Sequence, residues 1–386
     1  MARLDWKAFE SSIFSEISQL SQKHNAVNLA QGFPDFDGPK EVKEAAITAI
    51  QDGFNQYAPS NGILELRRSL AARQKKLYSV NYQPEDEITI FSGATEALFC
   101  SIVGLCSPGD EIICFEPFYE SYPAAAMLAG ASLKTVPLQA PDWQFDAKSL
   151  ADAITSRTKM LILNTPHNPT GKVFNRDELK SIAELVIRHN LIVVTDEVYE
   201  ELVFSPARHF PLITIPGMRD RTVCVSSFSK TFSLTGWKVG YAFAPKHLTK
   251  FIRIPHQYTV FCSTTPLQWG MLAALELGDD YFHLFREEYA KRRMALYEVL
   301  RKHGFECRLP AGTYFIMADY SALSDEDDYE FVQRLVTEAG VAAIPTSGFY
   351  LDAAKAKREM RYVRFGFCKD LKTIATADRC LGSYFG

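Results

Sequence analysis

The chain has 386 residues, of which 47% are hydrophobic and 23% are charged, and a prior of about 150 residues per domain indicates two or three domains. A formal net charge of −4 provides no global basic field, which argues against nucleic acids and membrane surfaces as partners. Polar side chains interrupt the first twenty residues, and no apolar stretch approaches the roughly 20 residues that span a bilayer, so we expect neither a secretory signal nor a transmembrane segment.

Cysteine and histidine spacing bears on the compartment and on metal binding. The eight cysteines form no C-x-x-C pair, and the eight histidines form no H-E-x-x-H motif. Scattered cysteines of this kind are typical of reduced thiols in the cytoplasm. The spacing therefore predicts a cytoplasmic protein without a metal site.

Apolar periodicity predicts an N-terminal arm with a short helix at 7–20, followed by alternating helices and strands. The predicted helices are 41–52, 64–78, 95–106 and 177–189. The predicted strands are 88–91, 111–115, 133–136, 160–163, 191–195, 222–225 and 239–243. Strands that alternate with helices and are apolar on both faces predict an α/β fold of three layers with a mostly parallel sheet.

A different pattern follows. A long predicted helix at 280–303 leads to predicted strands at 314–318 and 362–367, with a helix at 329–339 between them. This order indicates a smaller α+β domain. The predicted division is an N-terminal arm at 1–40 that joins the small domain, a large domain at 41–275 and a small C-terminal domain at 276–386.

Polar clusters follow four of the predicted strands. They are Ser92-Gly-Ala-Thr95, the segment from Asn164 to Gly171, Asp196-Glu-Val-Tyr199 and the segment from Ser226 to Lys230. In open α/β sheets, ligands bind outside the carboxyl ends of the strands, so these clusters would meet if the strands are adjacent. Taken singly, each cluster has a plainer alternative: a helix N-cap, a turn cap or a solvated lysine.

The order of the motifs adds a resemblance to a known family. The motifs are Asn168-Pro-Thr-Gly171, Asp196-x-x-Tyr199, Ser227-Phe-Ser-Lys230, Gly236-Trp-Lys-Val-Gly-Tyr241 and, near the end, Tyr362-Val-Arg364-Phe365. This arrangement resembles the class I aminotransferases, pyridoxal 5'-phosphate (PLP) enzymes of the aspartate aminotransferase fold. The resemblance runs from Asn28 to about Lys369. It implies the three-layer PLP-dependent transferase fold and an activity that transfers amino groups from amino acids to 2-oxo acids.

The resemblance implies a role for each residue that matches a family motif. Lys230 would form the Schiff base with the cofactor and then move the proton during transfer. Asp196 would face the pyridine nitrogen and keep it protonated, so that the ring withdraws electrons. Asn168 and Tyr199 would hydrogen-bond the phenolic oxygen of the cofactor, and Phe118 would stack on its ring.

Phosphate binding is implied for a second group of residues. It would use the backbone of Gly93, Ala94 and Thr95, the Ser227 hydroxyl and Lys238, which stands where the family often has arginine and so acts as a point charge. Tyr57 matches a tyrosine that reaches the phosphate of the neighbouring subunit. The resemblance thus implies a homodimer whose active sites are built by both chains.

Substrate binding is implied at a third group. Arg364 would clamp the substrate α-carboxylate, helped by the Gly32 backbone and by Asn168. We find no second arginine for an acidic side chain in the pocket-like segments, which offer aromatic residues such as Phe33, Phe261 and Phe349 instead. This favours methionine, glutamine, phenylalanine, tyrosine or kynurenine, because an unpaired buried charge is costly.

Two motifs refine the resemblance within the family. Gln31-Gly-Phe-Pro-Asp-Phe and Gly236-Trp-Lys-Val-Gly-Tyr look most like the kynurenine and glutamine transaminase subgroup, which includes bacterial methionine aminotransferases. Some members of that subgroup carry a histidine directly after the phenylalanine that corresponds to Phe261, whereas this chain carries Cys262 at that position. The alternative on the same fold is a PLP-dependent cysteine-conjugate or cystathionine β-lyase, which uses the same lysine and acid.

Overall fold

The computed structural model describes residues 12–386, and its chain folds into two sheets and a two-stranded ribbon packed among helices. The strands are β1 Val27–Asn28, β2 Ile88–Phe91, β3 Glu111–Glu116, β4 Ser132–Pro137, β5 Thr158–Asn164, β6 Ile192–Asp196, β7 Thr222–Ser227, β8 Gly240–Phe243, β9 Glu306–Cys307, β10 Phe315–Asp319, β11 Val341–Ala342, β12 Ile344–Pro345 and β13 Tyr362–Gly366.

Most of the helices lie between these strands in the chain, and α1 and α15 lie before and after them. They are α1 Ile13–Lys23, α2 Lys40–Gln51, α3 Leu64–Tyr78, α4 Pro84–Glu87, α5 Ala94–Leu105, α6 Ser121–Leu128, α7 Ala147–Ala153, α8 Arg176–Arg188, α9 Phe228–Thr231, α10 Lys246–Thr259, α11 Thr265–Leu275, α12 Asp279–Lys302, α13 Asp328–Thr337, α14 Ala353–Glu359 and α15 Leu371–Phe385. The predicted helix at 7–20 begins outside the described residues. No helix of the described part is long and apolar enough to cross a membrane.

The large sheet has the order β2-β8-β7-β6-β5-β3-β4. Strands β3 to β7 pair in parallel, whereas β8 runs antiparallel to both β7 and β2. Successive side chains of the central strand β5 point to opposite faces of the sheet. Ile162 packs in the core that contains α5, and Leu161 packs in the core that contains α8. The predicted α/β fold of three layers with a mostly parallel sheet is confirmed, because helices cover both faces of the strands.

The small sheet is antiparallel, with the order β12-β13-β10-β9. The N-terminal strand β1 pairs with β11, and helix α1 packs against α13, so the start of the described chain lies against its C-terminal third. The domain limits at 40 and 275 stay a prediction.

The sheet topology sets where the polar clusters meet. Strands β5, β6 and β7 are neighbours and parallel, so their carboxyl ends share one edge. Strand β2 is separated from β7 by β8, but two antiparallel pairings make it run parallel to β7. The four clusters that follow these strands therefore reach the same edge, as ligand sites in such sheets require.

Candidate active site

A cavity of about 370 Å³ lies at this edge of the large sheet and brings most of the sequence-predicted site residues together. Those that line it are Gly32, Phe33, Gly93, Ala94, Thr95, Asn168, Asp196, Tyr199, Ser227, Lys230, Lys238 and Arg364. A larger cavity of about 550 Å³, beside Trp143 and Tyr362, contains none of them. The chemistry therefore belongs to the smaller cavity, since the polar clusters that follow β2, β6 and β7 line it together with Arg364.

Lys230 lies in the short helix α9, directly after β7, and its side chain turns into the cavity. Its Nζ is 3.4 Å from the Gly32 carbonyl oxygen and faces the rings of Tyr199 and Tyr314. Burial, together with the nearby cations Lys238 and Arg364, lowers the pKa of Lys230 to about 8. About a tenth of the amine is thus unprotonated at pH 7, which makes it available as a nucleophile.

Asp196 ends β6 and is almost completely buried. Its Oδ2 accepts a hydrogen bond of 2.8 Å from the Tyr122 hydroxyl. Burial raises the pKa of Asp196 to about 6, and the hydrogen bond from Tyr122 opposes that rise. The carboxylate is therefore ionised at neutral pH and can hold a cationic partner in a site with little water.

Two asparagines tie the loop after β5 to its surroundings. Asn164 donates to the Asp196 carbonyl at 2.9 Å and accepts the backbone N–H of Asn168 at 2.7 Å. Asn168 Oδ1 in turn accepts a hydrogen bond of 2.8 Å from Arg364 Nη1. This chain of contacts fixes Asn168 between the large sheet and the small sheet that carries Arg364.

Arg364 projects from β13 and is 1% exposed. Its guanidinium lies 3.8 Å from the centre of the Phe315 ring and is flanked by Phe14 and Phe349. Burial lowers the pKa of Arg364 to about 10, which still leaves it cationic at neutral pH. Within the described residues no carboxylate forms an ion pair with it, and its Nε has no hydrogen-bond partner. A buried cation of this kind is suited to a carboxylate ligand, which would supply the missing charge.

The start of α5 forms a cradle for an anion. Gly93 precedes the helix with φ of +88°, and no side chain caps the helix N-terminus. A Cβ at Gly93 would lie 3.1 Å from Lys238 Nζ, so the ammonium group sits against this N-terminus. Free backbone amides at a helix N-terminus favour a phosphate, and Lys238 adds a positive charge.

Four predicted site residues lie outside the cavity lining. Tyr57 is 84% exposed, Phe261 is 39% exposed, and their rings pack edge to face on the surface. Phe349 is buried behind the Arg364 guanidinium. Phe118 is buried in the main core, and the residue that lines the cavity is its neighbour Tyr119. The Phe118 side chain points into the core, so Tyr119 is the aromatic residue of this segment at the cavity wall.

The structure also adds residues that sequence reasoning missed. Those that line the cavity include Phe14, Gln31, Leu98, Tyr119, Glu120, Asn164, Val198, Ser229, Thr235 and Phe315. Asn164 and Ser229 belong to the polar clusters already identified after β5 and β7. Phe14, Glu120 and Phe315 come from distant parts of the chain, and no local pattern marks them.

Comparison with known proteins decides the family. The sequence model described as aminotransferase class I and II matches residues 24–374, which is most of the chain. This protein belongs to that family. Its members are PLP-dependent, so the cofactor predicted from the motifs is confirmed, and the protein is an aminotransferase.

Several curated aminotransferases resemble the chain along almost its whole length. A probable N-succinyldiaminopimelate aminotransferase of Mycobacterium tuberculosis is 42% identical over 97% of this chain and 96% of its own. The methionine aminotransferase of Escherichia coli is 40% identical over 95% and 94%. A kynurenine–oxoglutarate transaminase of Dictyostelium discoideum is 38% identical over 96% and 93%. The subgroup named from the sequence is confirmed by the last two.

Solved structures agree with the sequence comparison. The N-succinyldiaminopimelate aminotransferase of Mycobacterium tuberculosis superposes with a TM-score of 0.96 at 42% identity, covering 100% of both chains. The Escherichia coli methionine aminotransferase gives a TM-score of 0.94 at 38% identity, covering 99% of both. An aspartate aminotransferase of Thermus thermophilus superposes with a TM-score of 0.90 at 31% identity, covering 99% of this chain and 100% of its own, so the fold expected from the motifs is confirmed.

Proposed function

We propose that this aminotransferase takes the amino group of methionine and of other uncharged or aromatic amino acids (phenylalanine, tyrosine, glutamine and kynurenine) and gives it to a 2-oxo acid. The cavity lining carries the proposal. Its apolar side chains are those of Phe14, Phe33, Leu98, Val198 and Phe315. Among the described residues that line it, Arg364 supplies the sole guanidinium, so no second one is present for an acidic side chain.

The residues of the cavity divide between cofactor and substrate in this proposal. Bound PLP supplies an electrophilic carbon and an electron-withdrawing ring. Lys230 Nζ would hold the cofactor and, once free, carry a proton from the substrate Cα, and Asp196 would keep the ring nitrogen protonated. Tyr199 and Asn168 would bind the phenolic oxygen, and Tyr119 would pack against the ring.

The remaining charged and polar groups bind the two ends of the reactants. The backbone of Gly93, Ala94 and Thr95, with Ser227 and Lys238, holds the phosphate. The Arg364 guanidinium, together with the Gly32 backbone, grips the α-carboxylate of every substrate, whereas the apolar lining contacts the variable side chain.

We also propose that the enzyme is a homodimer. Several exposed apolar side chains lie on α2, on α10 and on the segments that follow them, and the rings of Tyr57 and Phe261 join the two groups. We call this set the α2–α10 apolar surface; it comprises Ile47, Ile50, Phe54, Tyr57, Phe251, Ile254, Tyr258, Val260 and Phe261. Exposed apolar side chains that lie near one another are typical of a protein interface. A second copy would cover it, and Tyr57 would then reach the phosphate of the partner's site.

The state of the cysteines bears on the compartment in which the enzyme works. All eight are free thiols, and five of them are buried. Reduced, buried thiols are usual in an environment that keeps disulfides from forming. We therefore propose that the enzyme works in the cytoplasm.

A second candidate substrate rests on the comparison with the Mycobacterium tuberculosis enzyme. That relative, named for N-succinyldiaminopimelate, is 42% identical to this chain. A succinylated diamino acid carries carboxylates remote from the reacting amino group, whereas methionine carries none.

The β-lyase alternative differs in its products, because elimination yields pyruvate and ammonia instead of a 2-oxo acid that keeps the substrate's carbon skeleton.

One experiment separates these candidates. The holoenzyme is mixed with L-methionine in the absence of any 2-oxo acid, and the visible absorbance of the cofactor and the released products are followed. We expect conversion of the cofactor band to that of its amine form, with one equivalent of 4-methylthio-2-oxobutanoate. N-succinyldiaminopimelate and an S-conjugate of cysteine are tested in parallel, the latter for pyruvate.

Lys230→Ala is the control variant. We expect it to keep the thermal unfolding midpoint within a few degrees and to lose the half-reaction by at least about 10⁴-fold, since it lacks the amine that holds the cofactor and moves the proton. A wild-type enzyme that ignores methionine but converts N-succinyldiaminopimelate would overturn the substrate proposed here. Full turnover by Lys230→Ala would refute the mechanism.

A further inference from the structure

Glu120 is a charged residue of the cavity that the reaction does not use. It follows Tyr119 in the segment between β3 and α6, and it lines the same cavity as Lys230 and Arg364. Burial raises the pKa of Glu120, while a hydrogen bond from Ser12 and the positive charge of Arg364 oppose that rise. A carboxylate is therefore held beside the substrate space, and it needs an explanation.

The arm at the start of the described chain holds this carboxylate. Ser12 Oγ donates to Glu120 Oε1 at 3.0 Å and lies 3.2 Å from Oε2. Ser12 is the N-cap residue of α1, yet its side chain makes no capping hydrogen bond and turns to Glu120 instead. The positive end of the α1 dipole also favours a negative charge there. Phe14, in the first turn of the same helix, lines the cavity, so the arm and Glu120 meet at its wall.

The proposed function gives Glu120 no role, although it gives one to the other charged residues that line the cavity. In the proposed function, Asp196, Lys230 and Lys238 serve the cofactor, and Arg364 serves the α-carboxylate. Within the described residues, Glu120 forms no ion pair. Its negative charge is thus available to act on whatever side chain the substrate brings toward the arm.

We propose that Glu120 is a specificity-determining residue that disfavours amino acids with an acidic side chain. The inference rests on the proposed function of the same cavity and deepens it. A carboxylate on the substrate side chain would face a like charge from Glu120, which is half-buried, so that solvent screens the repulsion only in part. Neutral thioether, aromatic and amide side chains avoid this repulsion, and an amide or aromatic amine can donate a hydrogen bond to Glu120.

Glu120→Gln tests this, because it removes the charge and keeps the shape. The measured quantity is kcat/KM for glutamate divided by kcat/KM for methionine, at pH 8 with saturating PLP. We expect this ratio to rise about ten-fold, the effect of one unit charge at roughly 10 Å in a partly shielded site. A binding measurement on the holoenzyme serves as the second readout: the affinity for glutarate should rise about ten-fold relative to that for 4-methylthiobutanoate.

Two control variants separate charge from position. Glu184→Gln, on the exposed face of α8, makes the same change in net charge away from the cavity and should leave the ratio as it is. Ser12→Ala removes the hydrogen bond and keeps the carboxylate, so most of the discrimination should remain. An unchanged ratio in Glu120→Gln, or an equal rise in Ser12→Ala, would overturn the role of Glu120. A wild-type enzyme that prefers glutamate to methionine would instead refute the proposed function, whatever Glu120→Gln does.

Discussion

At the scale of single residues, burial brings the pKa values of the two central groups close together. It lowers that of Lys230 to about 8 and raises that of Asp196 to about 6. Neutral pH therefore lies between the two pKa values. At this pH Asp196 is mostly ionised, and part of the Lys230 amine is unprotonated. The contact with Tyr122 helps to keep Asp196 on the ionised side of this interval.

Tyr122→Phe should move the acid limb of the pH profile of kcat/KM to higher pH, by roughly one unit. The sign follows from Asp196, which acts as an anion. Loss of the hydrogen bond removes a contact that lowers its pKa, so a higher pH is needed to ionise it. The affinity of the apoenzyme for PLP should fall as well. Tyr289→Phe is the matched control, because its buried hydroxyl has no partner within the described residues. An acid limb that coincides with that of the wild type would contradict this role of Tyr122.

At the scale of elements, the longer strands were predicted well, whereas the two-residue strands and about half of the helices in the described residues were missed. The predicted strands 88–91 and 222–225 lie within β2 and β7, and the predicted helix 64–78 coincides with α3. Helix α10 was not predicted, and it contains Pro255, a residue that is unfavourable inside a helix. In the structure α10 packs on α5, and this tertiary contact stabilises a helix that local propensity disfavours.

The N-terminus of α5 is the element that binds the phosphate, and Gly93→Ala tests it. Gly93 has φ of +88° and lies against Lys238, so an added methyl group both strains the backbone and crowds the ammonium group. We expect the dissociation constant of PLP to rise at least about ten-fold, as measured by titration of the apoenzyme. Gly109→Ala is the control, because Gly109 has φ of +93° with open space around it. Equal PLP affinities in the two variants would argue against a phosphate site at Gly93.

At the scale of the whole molecule, the α2–α10 apolar surface makes the proposed dimer testable. Ile254 is 54% exposed on α10, and Ile254→Asp would place a charge within the proposed interface. We expect sedimentation to report about half the wild-type mass, with a loss of activity in proportion to the monomer formed. Leu284→Asp is the control, since Leu284 is equally apolar and 61% exposed on α12. A wild-type enzyme that sediments as a monomer would refute the homodimer.

The sequence by itself determined the local features of this protein. The apolar strands and the polar clusters that follow them are contiguous, so Asn168, Asp196, Ser227 and Lys230 could be identified with the sheet edge on which they lie. The motifs determined the family and its cofactor. These features depend on neighbours in the chain, which a sequence displays directly.

Only the tertiary structure decided the contacts between distant segments. It placed Tyr119, and not Phe118, in the cavity. It brought the Tyr122 hydroxyl to Asp196 across 74 residues and Ser12 to Glu120 across 108. Such contacts depend on how helices and sheets pack, and packing is set by the shape and burial of whole faces. For that reason no local pattern could reveal them.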